Sequence, residues 1–391
     1  MEVFDVNTLN SIYLKEKLRK QLELKLDASS RKRALSDHHA KRKPRPCGLT
    51  VHSGIGCVNN CAYCYIQDMG FDFKNTKPYP LGNVEMAYAL LNNPWFCPGK
   101  TGTFIAIGSV TEPFHPKCVD RSLSYIEAFA EILGNPIQFS TKMMLSEERV
   151  KKLSQIKNLL LSPLITIVTL EASKQLEPNA PTPFDRLEFI KCLRKYGFKP
   201  ILFLRPIIPG VTDRELDDIV SEAKSAGVYG VVAGSLRVTE GIVARLRKAG
   251  VDVSAILKRV GKLQGSKQIA VRSGDLKQLV EKVVKEKGLT YFNSACCACA
   301  FSCEIPCFSL CWVTNMCTDC PNRCEEKLPH VGIDDVVRAL HLLAGVKAID
   351  VEVSMHKVSL KVSKDDVKKI ADAHLFTLQT LLRRKITLIP S

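Results

Sequence analysis

The sequence predicts an α/β protein built on a parallel sheet, with a small α+β unit behind it. Two patterns carry this prediction. Short, continuous apolar runs recur through the middle of the chain, and segments of helical period lie between them. Runs that are apolar on both faces suit strands covered on both sides, and strands that alternate with helices build parallel βαβ units. A third observation sets the scale: 391 residues are enough for one large domain and a smaller one.

From about Asn10 to Asp27, Ile12, Leu14, Leu18 and Leu22 recur among charges, which predicts an amphipathic helix. Arg31–Arg45 carries seven Lys/Arg and one Asp and reads as a flexible, solvated basic leader. Six runs then read as strands: Leu49–Gly54, Thr101–Ser109, Asn135–Thr141, Pro163–Glu171, Lys199–Ile207 and Tyr229–Arg237. Helices are predicted at Leu123–Leu133, Ser146–Ile156, Pro183–Tyr196 and Asp213–Ala226. The α+β unit comprises a helix at Ile333–Ala344, strands at Ala348–Val353 and Lys357–Val362, a helix at Asp365–Arg383 and a strand at Ile386–Ile389. The domain boundaries follow: 1–45 helix and basic linker, 46–288 sheet domain, 289–330 cysteine-rich segment, 331–391 α+β unit.

No apolar run is long enough to span a bilayer, and the N-terminus lacks the apolar core of a signal peptide. The expected compartment is the cytoplasm. There, sixteen cysteines point to metal binding or catalysis rather than disulfides. The net charge of +16 favours a polyanionic partner such as nucleic acid, tRNA included. A lysine-rich, thermophilic-type surface is the alternative. Aromatics are not interleaved with the basic run, so no stacking platform is visible.

Cys57, Cys61 and Cys64 lie in GCVNNCAYCY with C-x3-C-x2-C spacing and no fourth cysteine close by. The loop follows the first strand, at the end of a parallel sheet where α/β folds place ligands. Three thiolates can hold three irons of a 4Fe–4S cluster and leave the fourth open to a substrate. The alternatives are a zinc site completed by His52, or thiols used as buried apolar groups.

This loop resembles the signature of radical S-adenosylmethionine (SAM) enzymes, with Tyr63 as the aromatic before the last cysteine. Four later stretches resemble the branch that contains spore photoproduct lyase: IGSVTEPFHP (Ile107–Pro116), FSTKMMLSEE (Phe139–Glu148), LEPNAPTPFDRLEFIKCLRKYGFKP (Leu176–Pro200) and LRPIIPGVTD (Leu204–Asp213). The resemblance covers about Pro46 to Leu236. It implies a partial (β/α)6 barrel, a 4Fe–4S cluster on the three cysteines, and SAM bound at the open iron. It also implies reductive cleavage of SAM to methionine and a 5′-deoxyadenosyl radical, fed by a low-potential donor such as ferredoxin or flavodoxin.

The resemblance further implies roles for single residues. Glu112, at the end of the second strand, meets the SAM amino group, and Lys142 meets its carboxylate. Tyr63 and Thr169 face SAM. Arg205 points to the same mouth and either holds a substrate anion or pairs with an acid. Gly230 and Gly234 admit adenine or relax strand packing. Ser109 stands where spore photoproduct lyase carries a hydrogen-donor cysteine. A hydroxyl donates a hydrogen atom poorly, so that repair reaction is not carried over. Cys97 and Cys118 are the nearby thiols.

Nine cysteines fall between Cys296 and Cys324. Cys311, Cys317, Cys320 and Cys324 are spaced C-x5-C-x2-C-x3-C, with Cys296, Cys297, Cys299, Cys303 and Cys307 upstream. The segment is too poor in large apolar side chains to fold unaided, so metal is expected to organise it. Cys296, Cys299, Cys303, Cys307, Cys311, Cys317, Cys320 and Cys324 are the candidate ligands. One or two auxiliary iron–sulfur clusters are expected, with zinc as the alternative. The functional reading is a radical SAM enzyme acting on a large substrate, RNA or a peptide. Its rivals are an iron–sulfur carrier without SAM cleavage and a zinc-stabilised nucleic-acid-binding protein.

Overall fold

The computed structural model describes residues 8–45, 48–70, 73, 75–310, 313, 317 and 320–391. Its centre is a seven-stranded, all-parallel sheet whose neighbours follow chain order. The strands are β1 (Leu49–Val51), β2 (Ile105–Ile107), β3 (Ile137–Thr141), β4 (Leu161–Thr166), β5 (Ile201–Ile207), β6 (Gly230–Ser235) and β7 (Thr290–Phe292). All six expected strands are present. The seventh is only three residues long, too short to show a pattern, and pairs Thr290 with Gly230. It carries the sheet past the expected boundary at residue 288.

Two helices precede the sheet, α1 (Thr8–Lys25) and α2 (Ala28–Ser36), and α3 (Asn83–Asn92) follows β1. Then come α4 (Val119–Ala128), α5 (Glu147–Ser154), α6 (Pro183–Lys195), α7 (Leu216–Ala226), α8 (Glu240–Lys248) and α9 (Gly274–Glu286). Local chemistry fixes their ends. Thr182 caps α6 with its hydroxyl, Asp185 returns the bond, and Pro183 opens the helix where no N–H is needed. Gly227 closes α7 at φ +96°, a conformation that a Cβ would strain.

Side chains of β5 alternate between two cores. Leu202 and Leu204 join the large core under the helices, while Ile201 and Phe203 face a second cluster. The same split places Val231 and Ala233 under the helices and Val232 opposite. The opposite face is covered by α10 (Ala295–Ser302) and the cysteines after it. The cysteine-rich segment therefore shares the sheet's core, although its own composition is poor in large apolar groups.

The last unit contains α11 (Ile333–Ala344), β8 (Asp350–Val353), β9 (Lys357–Val362), α12 (Asp372–Leu382) and β10 (Lys385–Pro390). The expected long helix is broken. A short turn of helix at Lys364–Val367 stops, Ala371 is extended, and α12 begins anew. Leu9 and Ile12 of α1 pack into this unit, while Leu22 packs under the sheet's helices.

The basic run is folded rather than a flexible leader. Arg33 pairs with Glu85 at 2.5 Å, Arg31 donates to Glu23 O, and Arg42 donates to Thr50 O. Among the described residues no helix is long and apolar enough to cross a membrane.

Candidate active site

The cysteine loop leaves the sheet just past β1. Gly56 at φ +80° and Asn60 at φ +51° turn the chain sharply enough to bring the thiols back toward the strand ends. The loop is tied down from outside. Ala62 N–H donates to Leu176 O at 2.8 Å, and Gln67 Nε2 donates to Cys61 O at 3.0 Å. Arg245 of α8 donates to Ala62 O and Cys64 O, and also forms a two-pronged pair with Asp68 at 2.9 Å on each arm. Backbone N–H groups of Asn59 and Ile66 point at the sulfurs of Cys57 and Cys64.

Cys61 is buried, and Cys57 and Cys64 are half-buried. Burial pushes all three thiols up, Cys57 to about 11, with Glu112 and Cys64 adding to it. Such thiols become thiolates only with a cation to stabilise them. Their sulfurs do not gather within the 4.8 Å that would suit one metal ion. His52, the other zinc candidate, lies elsewhere: its ring is 5.2 Å from His38 and 5.1 Å from His39.

Two of the expected charged residues reach this loop from neighbouring strand ends. β2 ends at Ile107, earlier than expected, because Gly108 at φ +100°, where a Cβ would clash with Ser140 O, turns the chain. Glu112 therefore sits in the following loop. Its carboxylate accepts from the Thr141 hydroxyl and from Lys142 N–H at 3.0 Å. Burial raises its pKa against those donors. Lys142 directly follows β3, and its ammonium lies 5.4 Å over the Tyr63 ring. Burial alone would depress it, but Cys61 and Glu177 outweigh that and raise it. Among the described residues it makes no ion pair within 4 Å, and Cys61, Glu177, Arg186 and Glu112 all act on its charge.

Tyr63 is anchored at its hydroxyl end. Its hydroxyl donates to Glu177, which also accepts from Arg186 at 2.5 Å. Arg186 further donates to Thr166 O and Pro181 O. Only the ring of Tyr63 remains to face a ligand. Thr169 lies past the end of β4, and its hydroxyl donates to Glu215 at 2.6 Å. Glu215 also accepts from Leu170 and Glu171 N–H, so it closes the turn after β4.

Arg205 is exposed on the face of β5 opposite the helices. A Cβ on Gly234 would meet Arg205 Cδ at 2.6 Å, so this glycine makes room for the arginine. Gly230 meets Thr290 O in the same way and admits β7. Arg205, Arg45 and Lys142 all bear on Tyr65, whose hydroxyl donates to Ser109 O at 2.7 Å. Three cations, Arg205, Arg45 and Lys142, thus stand in the neighbourhood of the cysteine loop, with the Glu112 carboxylate among them. Cys118 lies behind it, against Gly54, and Cys97 is buried near Thr103.

Arg245, Asp68, Glu177, Arg186 and Glu215 were not singled out by sequence reasoning. Glu177 and Arg186 do fall within a stretch quoted for the resemblance. In the second cysteine region, Cys296, Cys297 and Cys307 come together, Cys297 being the one not expected. Cys299 and Cys303 share their buried cluster, with Cys317, Cys320 and Cys324 at its edge. Cys311 lies outside the described residues.

Comparison with known proteins finds resemblances that centre on the sheet domain. The Radical SAM superfamily model matches residues 51–223. An uncharacterised protein of Acidianus two-tailed virus is 26% identical over 198 residues, covering 46% of this chain and 64% of the viral protein. A Radical SAM Nalpha-GlyT isomerase of Pseudomonas phage M6 is 25% identical over 190 residues, covering 46% of this chain and 38% of the isomerase. The match thus spans less than two thirds of either relative. A solved structure of spore photoproduct lyase has a TM-score of 0.49 at 17% identity, covering 63% of this chain and 74% of that one.

Proposed function

We propose, for a chain whose residues 51–223 carry a radical SAM domain, that it is a radical SAM enzyme acting on a large anionic substrate. The observation that carries this reading is the meeting of the three-cysteine loop with Glu112 and Lys142 at one strand-end mouth. Cys57, Cys61 and Cys64 would hold three irons of a 4Fe–4S cluster. Bound there, the cluster would supply low-potential one-electron chemistry for the reductive cleavage of SAM. The chain's own residues orient SAM. Glu112 accepts from its ammonium and Lys142 donates to its carboxylate, both as charge-assisted bonds. The Tyr63 ring and the turn at Thr169 border the same space, and the Tyr63 ring positions Lys142. A low-potential ferredoxin or flavodoxin provides the electron, in the reducing cytoplasm.

Arg45 and Arg205 add further cations beside the loop, which favours a polyanion such as RNA, tRNA included, over a neutral peptide. The cysteine-rich segment adds one or two auxiliary metal centres to this enzyme.

The decisive experiment is anaerobic reconstitution of the wild type and of a Cys57→Ala, Cys61→Ala, Cys64→Ala variant, followed by dithionite and SAM. The variant is expected to lose about four irons per chain and all 5′-deoxyadenosine. A wild type that binds iron at the loop but releases no 5′-deoxyadenosine is instead an iron–sulfur carrier.

A further inference from the structure

The C-terminal unit sends a cation into the cysteine-rich core without an anion to meet it. Arg383 is 0% exposed. Its Nη1 donates to Thr380 O at 2.7 Å, its Nη2 donates to Gly102 O at 3.1 Å, and its Nε has no acceptor. Carbonyl groups satisfy hydrogens but carry no net charge. Among the described residues no carboxylate pairs with this guanidinium. Its flanks are the rings of Phe104 and Phe308, each 5.5 Å away. An arginine cannot shed its proton in a protein, and an unpaired buried charge is strongly destabilising. Phe308 directly follows Cys307, so the guanidinium lies close to the thiols of the cysteine-rich segment, and Cys307, Cys97, Cys324 and Cys296 favour its charged form.

Three thiols in that direction are already assembled. The sulfurs of Cys296, Cys297 and Cys307 all lie within 4.8 Å of one another, and all three residues are buried. Thiolates on one tetrahedral ion, at about 2.3 Å from the metal, stand about 3.8 Å apart, which this grouping admits. Cys296 and Cys297 occupy the first turn of α10, where the helix end favours negative charge. Ser294 Oγ lies 3.0 and 3.1 Å from their two sulfurs, and Ser309 Oγ lies 3.0 Å from Cys296 Sγ. Hydroxyls at that range donate to thiolates, as outer-shell donors do around bound metals.

We propose that Cys296, Cys297 and Cys307 hold a single thiophilic metal ion, zinc or ferrous iron, and that Arg383 is its counter-charge. Three protons leave as the thiols bind. A divalent ion with three thiolates then carries one net negative charge, which the guanidinium balances. The spacing thus assigns these three residues to one ion rather than to a cubane cluster. Arg383 acts through the thiolates as a positioning residue, and it joins the C-terminal unit to the segment.

The full chain lacking the first site, with Cys57, Cys61 and Cys64 all changed to Ala, is the background for the test. Purified without oxygen, it is expected to retain about one zinc or iron per chain at this site and to lose it in the Cys296→Ser, Cys307→Ser double variant. Cys192→Ala is the control and keeps the metal. Arg383→Gln is expected to weaken metal binding by about 10–100-fold in competition with a chelator, and Arg383→Lys to recover most of it. The melting temperature separates this role from simple packing. Arg383→Gln lowers it in the metal-loaded protein, but not in the stripped one, where the charge is unpaired. Where a stripped form does not fold, cobalt(II) added during refolding reports thiolate binding by its absorption. Iron and sulfide in cluster proportion lost with Cys296 and Cys307, metal retained by the double variant, or an equal loss of stability from Arg383→Gln with and without metal would each overturn the proposal. Because 5′-deoxyadenosine plays no part in these readouts, the result is independent of the SAM reading.

Discussion

Glu177 shows how one side chain can organise a site it does not line. It is buried with Arg186, both side chains 1% exposed, and it takes the Tyr63 proton bond as well. Tyr63 in turn sits under Lys142. Glu177→Gln leaves a buried guanidinium without its anion, so it is expected to cost about 3–5 kcal/mol of stability, read as a lowered denaturant midpoint. If the role reaches the site, the variant also raises KM for SAM; an unchanged midpoint would refute the buried-pair account. The three cysteines were legible because their chemistry is local, written in eight residues. Glu177 and Arg186 were not, because their meaning depends on Tyr63, more than a hundred positions earlier in the chain. Glu112 and Lys142 could be placed only through resemblance. Nothing in a lone acid or lysine distinguishes a ligand contact from a solvated turn.

At the scale of elements, the strands were readable wherever apolar runs were long, and β7 was lost where three residues had to suffice. Boundaries drifted where a glycine ended a strand early, as at Gly108. The basic run misled for a different reason. Charge density suggests solvation, yet Arg31, Arg33 and Arg42 are spent on anchoring α2 and the first strand. The cysteine loop leans on distant support: Ile242, Val243 and Leu246 of α8 share a buried cluster with Cys61, Ala62 and Tyr63, and Arg245 holds the loop's carbonyls. Removing that side chain deletes bonds to Ala62 O, Cys64 O and Asp68. Charge-assisted bonds of this kind are worth about 1.5–3 kcal/mol each when buried and less at this partly exposed position. Arg245→Ala is therefore expected to keep the fold but to bind less iron at the three-cysteine loop. Circular dichroism and iron analysis would check both halves, and full iron loading would refute the clamp.

Across the whole molecule, the N-terminal segment links the two ends of the structure. α1 packs Leu9 into the C-terminal unit, and the turn after α2 brings His39 onto the strand that leads to the cysteines. His39 donates from Nδ1 to Asp37 and accepts the His52 N–H at Nε2, which fixes it as a neutral ring. Around it stand His38, His52, Tyr79, Asp37 and Arg42. Burial holds His39 down at about 4 and His52 at about 3, against about 6.5 in an unfolded chain. The unfolded chain therefore binds the extra protons first. Stability is complete above about pH 6.5 and falls as the pH drops toward 4, by up to about 1.4 kcal/mol per pH unit for each histidine. Asp37, held low chiefly by His39 and Tyr79 against its burial, adds a further loss only below its unfolded value. Urea midpoints between pH 7 and pH 5 are expected to fall, and less so in His39→Gln. A flat profile would show that the cluster does not titrate on unfolding.

The arginine that closes the cysteine-rich core belongs to a later stretch of chain than the thiols it faces. Arg383 follows Cys307 by 76 positions (383 − 307). At a synthesis rate of about 5–20 residues per second, that interval lasts roughly 4–15 s. During translation the thiols emerge well before the unit that covers them has been made. If these thiols take the proposed ion, there is a brief interval in which it can be delivered to an open cradle, and the growing chain itself sets the clock that shuts it.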